Sequence, residues 1–430
     1  MVSNDLDTDL RAVAQHLDGG DLAGAIRGLR DVTGRAPLEA LAPLVGRSAR
    51  IAGFAELEKA ARKVARRPRD ATALHAFGYA CVERGISWLA VPALQAALRS
   101  APGHRGILLE LVVALENEDR HAEAAQVLRD HDEVLEPWPD RYLLVLNTLL
   151  AGDGAGAARE AGALPAPRDT DWATAHERVQ AMLARHRAAA AVTALDRQDV
   201  RGWHFVLNAG LLTTLSPYGF EVMTGRYAFV HDSYDLCLRG LLRLRDVLAA
   251  TGRTPARVAL LPDRSSAVLG LAAARLLGVP AEPGGVDRVD TLVVAYDLDE
   301  VDPGLVLQLR HRPPGQVLLE HASCWTSPPP IAADVTTLLH QVVVPPWGER
   351  LTGGDGTPRR LPADDGPVAE LAERVLAADG SNDAGDGTTP ADPDDAFATT
   401  AGALAPLWAA GGRDRDRVWS PGPVSSNRFR

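Results

Sequence analysis

At 430 residues, 46% of them apolar, the chain is long enough for two or three ordinary domains. Its 45 basic and 56 acidic residues leave a net charge of −11, which argues against sequence-independent binding to nucleic acid, since that needs a basic surface. Three cysteines, Cys81, Cys237 and Cys324, are far apart and odd in number, as expected of free thiols in a reducing cytoplasm rather than of a disulfide frame.

The first twenty residues, MVSNDLDTDLRAVAQHLDGG, are acidic and lack a basic start followed by an apolar stretch. No window of eighteen uninterrupted apolar residues follows, so neither a secretion signal nor a membrane span is expected and the protein reads as cytoplasmic. Lys59 and Lys63 are the only lysines among many arginines, a compositional bias of bacterial type that no single site would demand.

Residues 71–104 place Leu74, Phe77, Gly78, Cys81, Ala90, Leu94, Ala97 and Pro102 at positions 4, 7, 8, 11, 20, 24, 27 and 32 of a repeat unit. Small Gly78 and Ala90 let two antiparallel helices approach, the larger residues fill the seam, and Pro102 stops the second helix. A shift of 34 residues puts Leu108, Leu111, Val112, Leu115, Ala124 and Leu128 in the same register. These offsets resemble the tetratricopeptide repeat family. Degenerate units lie upstream near Leu6 to Pro37 and downstream from Tyr142 to Ala158, while residues 38–70 are helical but out of phase. The resemblance implies a stacked helical array over residues 1–190, with a groove for a peptide or a partner helix. The alternative is an array that packs only on the rest of its own chain. The family's lysine and asparagine clamp for a peptide carboxylate is not identifiable, so no groove residues are assigned.

Residues 186–202 read as one more helix, after which Trp203 to Asp235 carries many of the aromatics and the turns SPYG and MTGR, predicting short strands or loops. SYDLCLRGLLRLRDVLAATG predicts an amphipathic helix with a glycine stop. An α/β alternation follows: strand RVALL, helix SSAVLGLAAARLLG, a strand near Val279, strand DTLVVAY, helix or turn DPGLVLQLRH, strand GQVLLEH, helix DVTTLLH, strand QVVVPPW. This order predicts a mostly parallel, Rossmann-like or phosphoribosyltransferase-like sheet over residues 200–350, with ligands at the carboxyl ends of its strands.

In that unit the turn PDRSS is the sharpest candidate. Asp263, Arg264, Ser265 and Ser266 at a helix start suit an anion, and equally suit an N-cap with no ligand. The order helix, strand, polar turn, small-residue helix, LGVP and acid-ended strand resembles type I phosphoribosyltransferases. The resemblance implies pyrophosphate at the first turn and ribose at the acids after LVVAY, which here are Asp297 and Asp299. Asp302 and Pro303 stand where the family's phosphate loop has donors, and a carboxylate about 6 Å from a phosphate costs on the order of 3 kcal/mol. Asp297, Asp299, Glu300 and Asp302 would need Mg²⁺ to tolerate a phosphorylated ligand; otherwise they form a solvated loop. Trp203, His204, His231, Asp235, His321 and Cys324 are further cleft candidates, the last two spaced as a metal pair or as a base and its nucleophile. No P-loop, GxSxG, HExxH or GxGxxG motif is present.

Residues 351–430 are Gly/Asp/Pro-rich linkers with short helices PVAELAERVLAA and AFATTAGALAPLWAA. The tail's Trp419, Val424 and Phe429 predict that it docks, on the α/β unit or on another chain. Two functions follow from this organisation. One is a scaffold or adaptor with a non-catalytic α/β unit. The other is an enzyme acting on a phosphorylated or nucleotide-like molecule, its repeats recruiting a partner or substrate. A two-lobed glycosyltransferase is disfavoured by the small α/β region.

Overall fold

The computed structural model describes residues 2–352, 359–381, 383–390, 392–409 and 414–424. Phe429 lies outside them. The chain forms two compact units, Met1–Val179 and Gln180–Arg430, dividing inside a helix that runs to residue 189; the stretch 186–202, read as one helix, is non-helical over residues 190–199.

The first unit is an array of helices: α1 (Val2–Asp18), α2 (Leu22–Val32), α3 (Leu38–Ile51), α4 (Ala55–Arg66), α5 (Ala71–Val82), α6 (Ser87–Ser100), α7 (Arg105–Glu116), α8 (His121–Arg129), α9 (Tyr142–Leu150) and α10 (Gly154–Ala163). Aspartates start several of them; Asp21, Asp70 and Asp153 each accept a backbone N–H of the first turn. The repeat residues Leu74, Phe77, Cys81, Ala90, Leu94 and Ala97 are all 0% exposed and face the seam of the α5–α6 pair. Gly78 is required there, because a Cβ on it would lie 2.4 Å from Leu94 Cγ. Buried Asp140 receives Arg105 through Nε at 2.6 Å and Nη2 at 2.8 Å, tying α7 to the start of α9. Across the out-of-phase α3–α4 pair, Arg30 of α2 lies over the Trp88 ring of α6 and pairs with Glu118. The other Glu118 oxygen accepts the Trp88 N–H, so α2 is held close to α6.

The second unit follows α11 (Ala173–Ala189), in which the division falls. It contains α12 (Val200–Asn208), β1 (Leu211–Leu212), α13 (Phe220–Met223), β2 (Tyr227–His231), α14 (Tyr234–Ala250), β3 (Arg257–Leu260), α15 (Arg264–Leu277), β4 (Ala281–Pro283), β5 (Thr291–Ala295), α16 (Pro303–Leu309), β6 (Val317–Cys324), β7 (Val335–Val344), the pair β8 (Arg350–Thr352) and β9 (Arg359–Leu361), α17 (Val368–Leu376) and α18 (Asp394–Ala409). Seven strands form one parallel sheet in the order β1-β7-β6-β5-β3-β4, with β2 also paired to β7 beyond β1. Alternation puts Ala259, Val293 and Ala295 against Val306 and Leu309 of α16. Their neighbours Val258, Leu260 and Val294 lie close to Gly270 of α15 on the opposite face, so helices cover both sides.

Two elements depart from the sequence expectation. DVTTLLH is not a helix: it enters β7, whose residues 335–340 are all buried between β6 and β1. Buried on both faces and rich in Val and Thr, such a strand shows no period-2 pattern to distinguish it from a buried helix. Conversely, Trp203 and His204 lie in α12, which Asp199 caps through the Gly202 N–H at 2.8 Å, rather than in strands or loops. The described tail residues pack on this unit. Arg415 N donates to Arg310 O, Ala332 N to Arg415 O, and Val418 N to Asn208 Oδ1. Val424 is fully buried, whereas Trp419 is 64% exposed.

Candidate functional site

Because every strand of the main sheet is parallel, the turns that leave them gather at one edge, and the chain reverses its winding between β3 and β5, where ligands of open α/β sheets bind. The PDRSS turn sits there, and each of its four polar side chains has a partner within the chain, although Asp263 Oδ2 is buried without one. Asp263 Oδ1 accepts the Ser266 N–H at 2.8 Å, capping α15. Ser266 Oγ accepts the Tyr296 N–H at 2.9 Å, joining this turn to the one after β5, and Ser265 Oγ accepts Trp347 Nε1 at 3.0 Å. The Arg264 guanidinium donates to the carbonyls of Asp364 and Gly366 at 2.6 and 2.8 Å. Asp302 is turned toward its own helix: its Oδ1 accepts the N–H groups of Gly304 and Leu305, with Pro303 as first residue of α16.

Asp297 is buried, accepts the Asp299 N–H at 2.9 Å, and has Oδ2 3.4 Å from His340 Nε2. Asp299 and Glu300 are exposed. Nearby, Glu320 is wholly buried on β6; burial pushes its carboxyl up to about 8 although Arg417 opposes this. One Glu320 oxygen accepts the Leu298 N–H, and Arg417 of the tail donates two N–H groups to Ser323 Oγ.

A second constellation joins residues that the sequence holds far apart. Asp232 leaves the carboxyl end of β2, Cys237 lies in the first turn of α14, Tyr296 leaves β5, and His321 is on β6. Asp232 Oδ2 meets Tyr296 Oη at 2.7 Å, His321 Nε2 at 3.0 Å and Cys237 Sγ at 3.3 Å; Sγ is 3.8 Å from His321 Nε2. All four side chains are buried. Asp232 is fixed by its N–H to Val344 O, by the Ser233 N–H on Oδ1 and by Arg350 on its carbonyl. Gly240 lets α14 come this close, since a Cβ on it would lie 2.6 Å from Thr337 Oγ1 and 3.2 Å from His321 Nδ1. Burial alone would raise the Asp232 carboxyl, but the facing imidazole and the converging hydrogen bonds bring it below its ordinary value. Burial and the Asp232 charge push the Cys237 thiol and the Tyr296 hydroxyl well up.

The other sequence candidates are dispersed. Cys324, proposed beside His321, has Sγ 3.5 Å from Thr326 Oγ1 instead, and Cys237 takes its place at the imidazole. His231 is exposed against the Phe229 ring, and Asp235 accepts the N–H groups of Asp379 and Gly380. Trp203 Nε1 donates to the carbonyls of Leu195 and Asp196. His204 lines a cavity of about 50 Å³ with Asn208, Arg226, Trp325 and Arg417; burial and the two arginines push its imidazole down to about 3. Among the described residues, three metal-type donors lie within 4.8 Å of one another at Asp232, Cys237 and His321, not at the acids 297–302. Cys237 and Tyr296 had no sequence signal: one reads as part of an apolar helix face, the other as the end of a buried strand.

Two larger cavities are present, the first of them beside the PDRSS turn. One of about 530 Å³ lies at the carboxyl ends of β3 and β4, bounded by Leu261, Pro262, Ala267, Gly284, Val286 and Leu305. The other, of about 200 Å³, lies in the helical array, walled by Ile26, Leu29, Val45, Ala49, Leu57 and Leu89. Phe54 and Arg84 also line it; the Arg84 guanidinium stacks over the Phe54 ring at 4.6 Å.

The fold these observations define is a helical array joined in sequence to a parallel α/β unit. No family model matches the chain, and no curated protein does. Among solved structures, a mutant of MamA is similar at 19% identity, covering 38% of this chain and 99% of MamA with a TM-score of 0.24. Two structures of MamA AMB-1 are similar at 20% and 19% identity, covering 37% and 40% of this chain and 96% and 98% of theirs, with TM-scores of 0.24 and 0.25.

Proposed function

We propose that this protein is a protein-interaction scaffold whose helical array captures a partner by one bulky apolar side chain flanked by an acid. The observation that carries this reading is the cavity of about 200 Å³ between α2, α3, α4 and α6. It is smaller than the roughly 300–1,000 Å³ clefts that enclose whole small-molecule ligands, and so suits a single anchor residue. Its walls are almost wholly apolar, and Arg84 is the one charged residue among those lining it, which favours an acidic neighbour on the peptide.

The test is selection of a displayed peptide library on the full-length protein, followed by fluorescence polarisation on the recovered sequences. Recovered peptides are expected to share one large apolar residue beside Asp or Glu. Filling the cavity by Ala49→Phe is expected to weaken binding more than tenfold, with Phe54→Ala at the mouth as a milder second variant. Recovery of no common pattern, or binding indifferent to both substitutions, overturns the reading.

The phosphoribosyltransferase-like alternative has less support. Arg264, Ser265 and Ser266 are already held by Asp364, Gly366, Trp347 and Tyr296, so an anion at the PDRSS turn would have to displace the 364–366 segment first. Thermal shift with phosphoribosyl pyrophosphate and Mg²⁺ on wild type and Arg264→Ala separates the two: stabilisation lost in the variant would favour the enzyme.

A further inference from the structure

Asp232 Oδ2 has two lone pairs and three neighbours placed to donate to it, Tyr296 Oη at 2.7 Å, His321 Nε2 at 3.0 Å and Cys237 Sγ at 3.3 Å. One of the three is in excess while all carry protons. Replacing the imidazole and thiol protons by a single ion removes the excess and leaves the Tyr296 hydroxyl on the second lone pair.

The separations lie within about 0.3 Å of what that exchange needs. Ligand atoms about 2.0–2.3 Å from a tetrahedral ion stand about 3.3–3.6 Å from one another. Here the three edges are 3.0, 3.3 and 3.8 Å for Oδ2 to Nε2, Oδ2 to Sγ and Sγ to Nε2. The outer contacts have the form of a metal site's supporting shell: Ser233 N–H occupies Oδ1, which leaves Oδ2 for one-point ligation, and Tyr296 orients the same carboxylate.

The geometry points to a zinc site formed by Asp232 Oδ2, Cys237 Sγ and His321 Nε2 at the carboxyl edge of the sheet. A thiolate, an imidazole and a carboxylate together select Zn²⁺ over Mg²⁺ or Ca²⁺, which take oxygen ligands. The charge balances: two positive charges meet one thiolate and one carboxylate. Cys237 gives up its proton to solvent and His321 binds through an Nε2 freed of its own, the imidazole staying neutral with its proton on Nδ1, so one proton leaves per ion. Three protein ligands leave one corner of the tetrahedron without a protein ligand.

The experiment is elemental analysis of purified full-length protein, then titration of chelator-treated protein with Zn²⁺ or Co²⁺. About one equivalent of zinc per chain is expected, and Co²⁺ is expected to develop thiolate-to-cobalt charge-transfer absorption. Cys237→Ser should lose that absorption, and His321→Ala should weaken binding more than tenfold. Cys81→Ser, Cys324→Ser and Tyr296→Phe should keep the absorption, since none removes a ligand. No binding by the wild type, or absorption that survives Cys237→Ser, overturns the site. Should Cys237→Ser fail to fold, X-ray absorption of the zinc-loaded wild type still decides: one sulfur at about 2.3 Å with nitrogen or oxygen at about 2.0–2.2 Å supports it, and a shell without sulfur refutes it.

Discussion

At the level of single residues, the tightest constraints fall where backbones or charges meet without room to adjust. Gly78 lets α5 approach Leu94 so closely that a methyl group would sit 2.4 Å from Leu94 Cγ. Gly78→Ala should therefore destabilise the array by about 1–3 kcal/mol despite alanine's better helix propensity, read as a lower urea midpoint. His204 shows the opposite kind of constraint, a titratable group held neutral. Burial, with Arg417 and Arg226 nearby, lowers its imidazole from 6.5 to about 3. Its unfolded state gains a proton as pH falls through 6.5 and its folded state does not, so stability is full above that pH and is lost progressively toward 3. At pH 5 the loss is about 2 kcal/mol relative to neutral pH. His204→Leu should flatten that part of the curve, and equal acid sensitivity of variant and wild type would refute the assignment. Gly78 was legible in the sequence because it stands at position 8 of a unit whose other offsets are filled by apolar and small residues. His204 was legible only as a candidate, since its environment is made by a tail that joins it from more than two hundred positions away.

Among the elements, helices with an apolar stripe read directly from the sequence, because their stabilising contacts are local. Asp263 caps α15, one of the two roles its position allowed, and Asp21, Asp70 and Asp153 cap their helices in the same way. Element type failed for β7, where full burial erased periodicity, and the PDRSS turn kept two readings because a capped turn and an anion cradle use the same residues. Partners outside the turn then bear on that choice: Arg264 bonds two carbonyls of the 364–366 segment. Arg264→Ala is accordingly expected to loosen that segment, seen as faster amide hydrogen exchange at residues 359–376, with protection of α5 and α6 unchanged. An unaltered exchange pattern at 359–376 would show that the guanidinium contributes little there.

For the α/β unit as a whole, the C-terminal segment is a structural member. The Arg415 side chain is 0% exposed and donates Nε and Nη2 to Asp334 at 3.1 and 2.8 Å, while Asp334 also accepts the Leu318 N–H. Arg312 pairs with the other Asp334 oxygen, so removing Arg415 leaves the buried carboxylate with one of its two cations. Arg415→Met should cost about 1.5–3 kcal/mol, the worth of hydrogen bonds to a charged group, and Arg415→Lys should recover only part of it because the planar fork is lost. Urea unfolding followed by circular dichroism checks this, and a change under about 1 kcal/mol would remove the tail from the unit's stabilising framework.

What the sequence determined by itself was whatever rests on near neighbours: the repeat register of residues 71–136 and the alternation of strands with helices from 257 to 324. Only the tertiary structure decided which polar residues meet. His321 was paired in sequence with Cys324, three positions away, yet a strand turns alternate residues to opposite faces, and its neighbours are Asp232, Cys237 and Tyr296, drawn from three other elements. Sheet order and the close passage of α14 over Gly240 bring those atoms together, and neither is written in local periodicity.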